Sequence, residues 1–216
     1  MYNYGGSGGR LTLRLCVTAD DYGLCPEVNA SIEKLAENGD IQSTSIMVHD
    51  GAVLDTVAQL KPMGVCTGLH LVFVGERPLL GNKLKPLLDG DGYLVNNYAL
   101  LFARLLSQPR VVSLLIEEAH AQVDRFLSLG LSLDFINSHQ HVHQFPLLWR
   151  ALRSVFDRIP RTAVRCAKGR FEPSRQGLVN LAATMSWWAW PLPRTLVLDP
   201  VGVDYDPVKA WIQYLY

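Results

Sequence analysis

Long apolar runs are missing from this sequence. Nothing in it approaches the roughly 20 consecutive apolar residues of a membrane-spanning helix. The stretch over residues 182–192 is shorter and is cut off by Pro191 and Pro193. The opening MYNYGGSGGR, rich in Gly and Ser, has no apolar centre and is not a secretory signal. It predicts a flexible leader over residues 1–10 ahead of one domain over residues 11–216. Excess charge of either sign is also missing: 20 Lys and Arg balance 20 Asp and Glu, for a net charge of zero. That argues against a broad electrostatic footprint for nucleic acid or an anionic membrane. The Arg-rich stretch over residues 158–175 is offset by Asp157 and Glu172 and reads as a solvated face. Close cysteine pairs are absent as well, which excludes a cysteine-based zinc site among Cys16, Cys25, Cys66 and Cys166. Three of these sit in or beside apolar runs, so they are expected to be small buried hydrophobes in a cytoplasmic setting. No Gly-rich phosphate loop is present either, which counts against phosphoester chemistry.

What is present is an α/β pattern. Hydrophobic residues make up 49% of the chain, enough for a sizeable core in one domain. LRLCVTA reads as a strand, and PEVNASIEKLAENG as a helix with Pro26 at its start and Gly39 at its end. STSIMV is a second strand, AVLDTVAQL a helix and VCTGLHLVF a third strand. A long loop with GERP and DGDG follows, then a helical region from about Tyr98 to Leu129 with a break near Pro109. LDFINSH is a fourth strand, FPLLWRALRSVFDRI a helix and TAVRCA a fifth strand. Such alternation implies parallel strands joined by right-handed crossovers. There is no internal repeat.

Polar residues collect at one kind of place. Asp20 and Asp21 end the first strand, His70 lies late in the third, and Asn137 and His139 end the fourth. Ligands and catalytic groups of parallel α/β folds gather at the carboxyl ends of strands. Two adjacent carboxylates repel and are costly to desolvate, so a cation or shared proton is the usual remedy; a turn or helix cap is the plain alternative. INSHQHVHQFP carries His139, His141 and His143 at alternate positions. An extended segment would point them to one face, where one or two could bind a metal. A polar loop with histidines bonded to backbone is the other reading.

TADDYG followed by Asn29, then STSIMV, TGLHLVF and FINSHQHVHQFP, resemble in order and spacing the YdjC-like carbohydrate deacetylases, over residues 11–170. LVFVGERPLL and the Asn of INSH resemble the hopanoid-biosynthesis branch more than the chitooligosaccharide branch; much of the family has Asp in place of that Asn. The resemblance implies a distorted parallel β/α barrel, incomplete at the C-terminus, and hydrolysis of N-acetyl groups on an amino sugar or glycolipid with release of acetate. It implies one divalent metal, magnesium first and zinc second, on Asp21, His70 and His139, with Asp20 as general base. A homodimer is also implied. Asn137, His141, His143 and Arg165 are expected around the ligands or substrate, with Arg165 facing Asp20 or the sugar, and Asn29 bracing the first loop. Trp187, Trp188 and Trp190 are read as a helix face or a sugar-stacking platform. The resemblance also implies a later histidine as general acid, and no histidine follows His143. A fragment, an acid from elsewhere, or a catalytically inactive sugar-binding protein would each fit that departure.

Overall fold

The computed structural model describes residues 16–49, 56–165 and 197–198. The expected leader, Cys166 and the tryptophans at 187, 188 and 190 lie outside the described residues, as does the start of the helix read over AVLDTVAQL.

Among the described residues the β–α alternation is realised as six strands, all parallel and paired in chain order: β1 (Thr18–Tyr22), β2 (Ser43–Ile46), β3 (Cys66–Leu71), β4 (Phe135–Ser138), β5 (Ala163–Arg165) and β6 (Val197–Leu198). Every residue of β2 and β4 is buried, as both faces of a parallel sheet usually are. Ile46, Leu69, Ile136 and Val164 form the interior of the sheet.

Helix α1 (Pro26–Glu37) starts on Pro26, whose missing N–H costs nothing in the first turn, and buries Asn29, Ile32 and Ala36. A 3-10 turn at Val57–Gln59 and the short α2 (Leu60–Met63) carry the chain to β3. The expected break at Pro109 separates α3 (Tyr98–Ser107) from α4 (Pro109–Ser128), which meet at 113°. The single helix expected after β4 is two short ones, α5 (Pro146–Ala151) and α6 (Arg153–Arg158), parted at Leu152. Among the described residues no single helix is long and apolar enough to cross a membrane.

Helix α4 fixes the long segment after β3. Its buried stripe runs Leu114, Leu115, Glu118, Ala119, Gln122, Val123, Phe126, so two polar residues four apart face the core. The Glu118 carboxylate accepts from the Leu79 and Leu80 N–H groups at 2.9 and 3.0 Å. Gln122 accepts from the Val72 N–H and donates to the Val72 carbonyl, both at 2.9 Å. A loop leaving a buried strand must satisfy its backbone groups, and this pair does so.

Cys16 and Cys66 depart from the sequence reading. Both are exposed, because they lie at or just before the amino ends of β1 and β3, where the sheet meets solvent.

Candidate metal centre

Two adjacent residues of a strand ordinarily point to opposite faces. In β1 they do not have to. Thr18 and Ala19 pair with Ser43 and Thr44, but the next match is Tyr22 with Ile46, so Asp20 and Asp21 together stand opposite Ser45 alone. This is a β-bulge, which bends a strand and re-aims its side chains. Asp21 occupies the left-handed region at φ 66°, which aspartate tolerates better than most residues. The bulge brings both carboxylates to one site. Asn29 braces the turn that follows, accepting from the Gly23 N–H at 2.6 Å.

His70 and Asn137 are direct partners across β3 and β4, and Ser45 sits one strand over. The four polar side chains form one network. Ser45 donates to Asp20 Oδ1 at 2.7 Å, and Asn137 Nδ2 donates to the same oxygen at 3.1 Å. Asn137 Oδ1 lies 2.7 Å from His70 Nδ1, and Ser45 Oγ lies 3.0 Å from that nitrogen. The protonation states follow. A carboxylate only accepts, so the amide nitrogen of Asn137 faces Asp20 and its oxygen faces His70. That oxygen accepts from Nδ1–H, which leaves a lone pair on His70 Nε2.

The lone pair faces Asp21. His70 Nε2 is 3.0 Å from Asp21 Oδ1, and His139 Nδ1 is 2.8 Å from the same oxygen. The three ligand atoms lie within 4.8 Å of one another. An imidazole lone pair this close to a carboxylate oxygen needs a proton or a cation between them. One carboxylate and two imidazoles fit a divalent ion with open positions left for other ligands. Against its burial, which would raise it, hydrogen bonds and charge from the two histidines, when each carries a proton toward it, hold the Asp21 carboxyl well below the usual carboxylate range. A cation takes the place of those protons when the nitrogens are bare.

Asp20 has a different environment. Arg165, at the end of β5, donates to Asp20 Oδ2 from Nη2. Burial alone would raise the Asp20 pKa; the Arg165 guanidinium, His70 and the hydroxyl of Ser45 outweigh it and hold the carboxyl at about 2. The side chain of Asp20 is 6% exposed and that of Arg165 24%. One carboxylate of the pair therefore faces the two histidines, and its neighbour is neutralised from the far strand.

The remaining two histidines part company. An extended HxHxH was expected to place all three on one face. The segment His139–Gln144 is instead 3-10 in character and carries Gln140 at φ 54° and His141 at φ 57°. Two successive left-handed residues reverse the chain, and alternation is lost. His141 is half-buried, and burial, with Arg165 nearby, pushes its imidazole down to about 4. His143 is turned inward and is 1% exposed. Its Nε2 donates to the Arg165 carbonyl at 2.9 Å, and its Nδ1 accepts from Ser138 Oγ at 2.6 Å. Burial lowers its pKa to about 3. His143 therefore anchors the strand that carries Arg165. Gln140 reaches sideways: Tyr98, at the start of α3, donates its hydroxyl to Gln140, whose amide nitrogen is 3.4 Å from His139 Nε2.

Ser45, Gln140 and Tyr98 were not singled out from the sequence. The signal for Ser45 is the polar triplet Ser43-Thr44-Ser45 inside a wholly buried strand. Nothing in the sequence marks Tyr98 or Gln140.

The family model described as "YdjC-like protein" matches residues 14–202. A carbohydrate deacetylase of Vibrio campbellii is 36% identical over 152 residues, covering 68% of this chain and 58% of its own. A carbohydrate deacetylase of Oceanobacillus iheyensis is 29% identical over 150 residues, covering 69% of this chain and 61% of its own. The chain thus spans somewhat over half the length of these curated relatives. A solved structure from Enterococcus faecalis, described as a candidate cellobiose-phosphate cleavage protein, superposes with a TM-score of 0.55. It is 20% identical, with 77% of this chain and 62% of that one covered, and bears on the fold alone.

Proposed function

Since the chain belongs to the YdjC-like protein family, we propose that it is a metal-dependent carbohydrate deacetylase that hydrolyses the N-acetyl group of an amino sugar. The observation that carries this reading is the single Asp21 oxygen set 3.0 and 2.8 Å from the nitrogens of His70 and His139, with a second carboxylate beside it. Asp21, His70 and His139 would hold the ion. A divalent cation there supplies Lewis-acid polarisation and a more acidic bound water. Magnesium is what the family resemblance implies; two imidazole nitrogens are softer donors than magnesium's usual oxygens and suit zinc.

The chain's own groups move the proton. A water oxygen bonds to the amide carbonyl carbon, and Asp20 takes the water's proton. The carbon–nitrogen bond then breaks, and the amine leaves with that proton. Pairing with Arg165 makes Asp20 a weak base, and once protonated a strong acid. The same carboxyl therefore returns the proton to the leaving nitrogen without a second acid. Asn137 ties base to ligand: it donates to Asp20 and accepts from His70, holding the orientation of both. A carboxylate in its place would stand against Asp20 and repel it. Arg165 and Ser45 keep Asp20 ionised, while His141 stands beside the site, in reach of substrate.

The test is acetate release from N-acetylglucosamine oligosaccharides and from an N-acetylated glycolipid, with magnesium or zinc supplied and then chelated. Asp20→Asn is expected to lose at least about 100-fold in rate, the usual scale of acid–base catalysis, while still binding metal. Metal and sugar binding without acetate release would instead make the chain an inactive binding protein.

A further inference from the structure

His139 has a second ring nitrogen, and a two-residue chain is built against it. Its Nδ1 faces Asp21 Oδ1 at 2.8 Å. On the other side of the ring, Nε2 lies 3.4 Å from the amide nitrogen of Gln140, and Gln140 Oε1 accepts from the Tyr98 hydroxyl. Tyr98, Gln140 and His139 thus form a line of polar contacts that ends on a candidate ligand. The catalytic reading uses neither Tyr98 nor Gln140.

Both residues are fixed in place. Among the described residues the non-glycine positions with positive φ are Asp21, Gln140 and His141, and all three belong to the site. Gln140, at φ 54°, lacks the short side chain that eases this backbone for Asn and Asp, and such strain gathers at functional sites. Tyr98 is the first residue of α3, whose start is set by the Asn97 side chain accepting from the Leu100 N–H at 3.0 Å. The Tyr98 ring meets Phe145 edge-on at 6.1 Å, directly after the His139–Gln144 segment. Burial pushes its phenol up to about 12, so it stays a neutral hydroxyl near pH 7.

A neutral imidazole carries one proton, so the two sides of the His139 ring are coupled. With that proton on Nδ1, toward Asp21, Nε2 is bare; it accepts from the Gln140 amide N–H, and Tyr98 donates to Gln140 Oε1. With a cation on Nδ1 the proton sits on Nε2 instead, and Nε2–H needs an acceptor. Turning the Gln140 amide end for end supplies one without a change of shape. Oε1 then accepts from Nε2–H, and the amide nitrogen donates to the Tyr98 oxygen. A hydroxyl serves in either sense, as donor or acceptor. We propose that Gln140 and Tyr98 are positioning residues for the metal centre, which select, by reversal of the Gln140 amide, the His139 tautomer that presents Nδ1 to a divalent cation. The inference rests on His139 being a ligand, and it adds what orients that ligand.

Calorimetric titration of zinc into the full chain and its variants tests it, with folding checked by circular dichroism. Gln140→Met keeps the length of the side chain without its carbonyl oxygen, and should weaken binding by about 10–100-fold, as loss of a ligand-orienting partner does. Gln140→Glu keeps an acceptor and should bind at least as tightly as wild type, a distinction that a packing role would not make. Tyr98→Phe should weaken binding on its own and change nothing when combined with Gln140→Met, because it acts through the amide. Nitrogen-15 NMR of the zinc-loaded wild type should find the His139 proton on Nε2, a readout that needs no variant. Equal zinc affinity of wild type and folded Gln140→Met, or a His139 proton on Nδ1 in the zinc-loaded chain, overturns the proposal and leaves the ligand set standing. A wild type that takes up neither zinc nor magnesium overturns the ligand set itself, and the orienting role with it.

Discussion

At the scale of residues, the pair of adjacent aspartates has a geometric explanation: a bulge lets both point into one site, where Arg165 pairs with Asp20 and His70 and His139 face Asp21. The grouping of Asp21, His70 and His139 was legible because each lies at or next to the carboxyl end of a strand whose apolar run is plain in the sequence. Ser45 was not, since its contact with both Asp20 and His70 arises from register between strands. The spacing of His139, His141 and His143 misled for a related reason: alternation implies one face only in extended backbone, and Gln140 and His141 are left-handed. His143 gives a test. Its pKa falls from 6.5 to about 3 on folding, through burial. Between those values the unfolded chain binds a proton that the folded one refuses. The stability this neutral histidine contributes is therefore present above 6.5 and lost as pH drops toward 3. Urea midpoints near pH 7 and pH 5 should separate more for wild type than for His143→Gln; equal separation would remove His143 from the account. Carboxylates titrate mainly below about pH 4 and do not mask that comparison.

At the scale of elements, the glycine of GLHL has a packing reason. A Cβ on Gly68 would meet the Phe135 ring at 2.6 Å, because the two residues are register partners on β3 and β4. Gly68→Ala should cost about 1–3 kcal/mol through overpacking, and Phe135→Leu in the same chain should recover part of it. Chemical denaturation reads both; a neutral Gly68→Ala would show that the strands adjust freely. The glycine was visible in the sequence, but its partner was not, because register is a tertiary property. The clamp on α4 is an intermediate case. Glu118 and Gln122 fall on the apolar stripe at i and i+4, a signal present in the sequence whose meaning came from the backbone of residues 72–80.

At the scale of the whole molecule, the order of parallel strands was legible because β–α alternation leaves few topologies open. Convergence of the site followed from it, since parallel strands present their carboxyl ends to one side. Side-chain burial was harder to read: Cys16 and Cys66 were placed inside from the apolar runs around them, and both lie at the opposite, amino-terminal edge.

The most direct test of the central claim is calorimetric titration of magnesium and of zinc into the chain and four variants, each checked for folding by circular dichroism. Asp21→Asn is preferred to alanine, because Asn keeps the left-handed backbone without added strain. Wild type should bind one ion, and Asp21→Asn, His70→Gln and His139→Gln should each abolish binding. Asn137→Ala should weaken it by roughly 10–100-fold, as loss of a ligand-orienting partner does. A folded wild-type chain that takes up neither ion, or an Asp21→Asn variant that binds as tightly as wild type, would contradict the account.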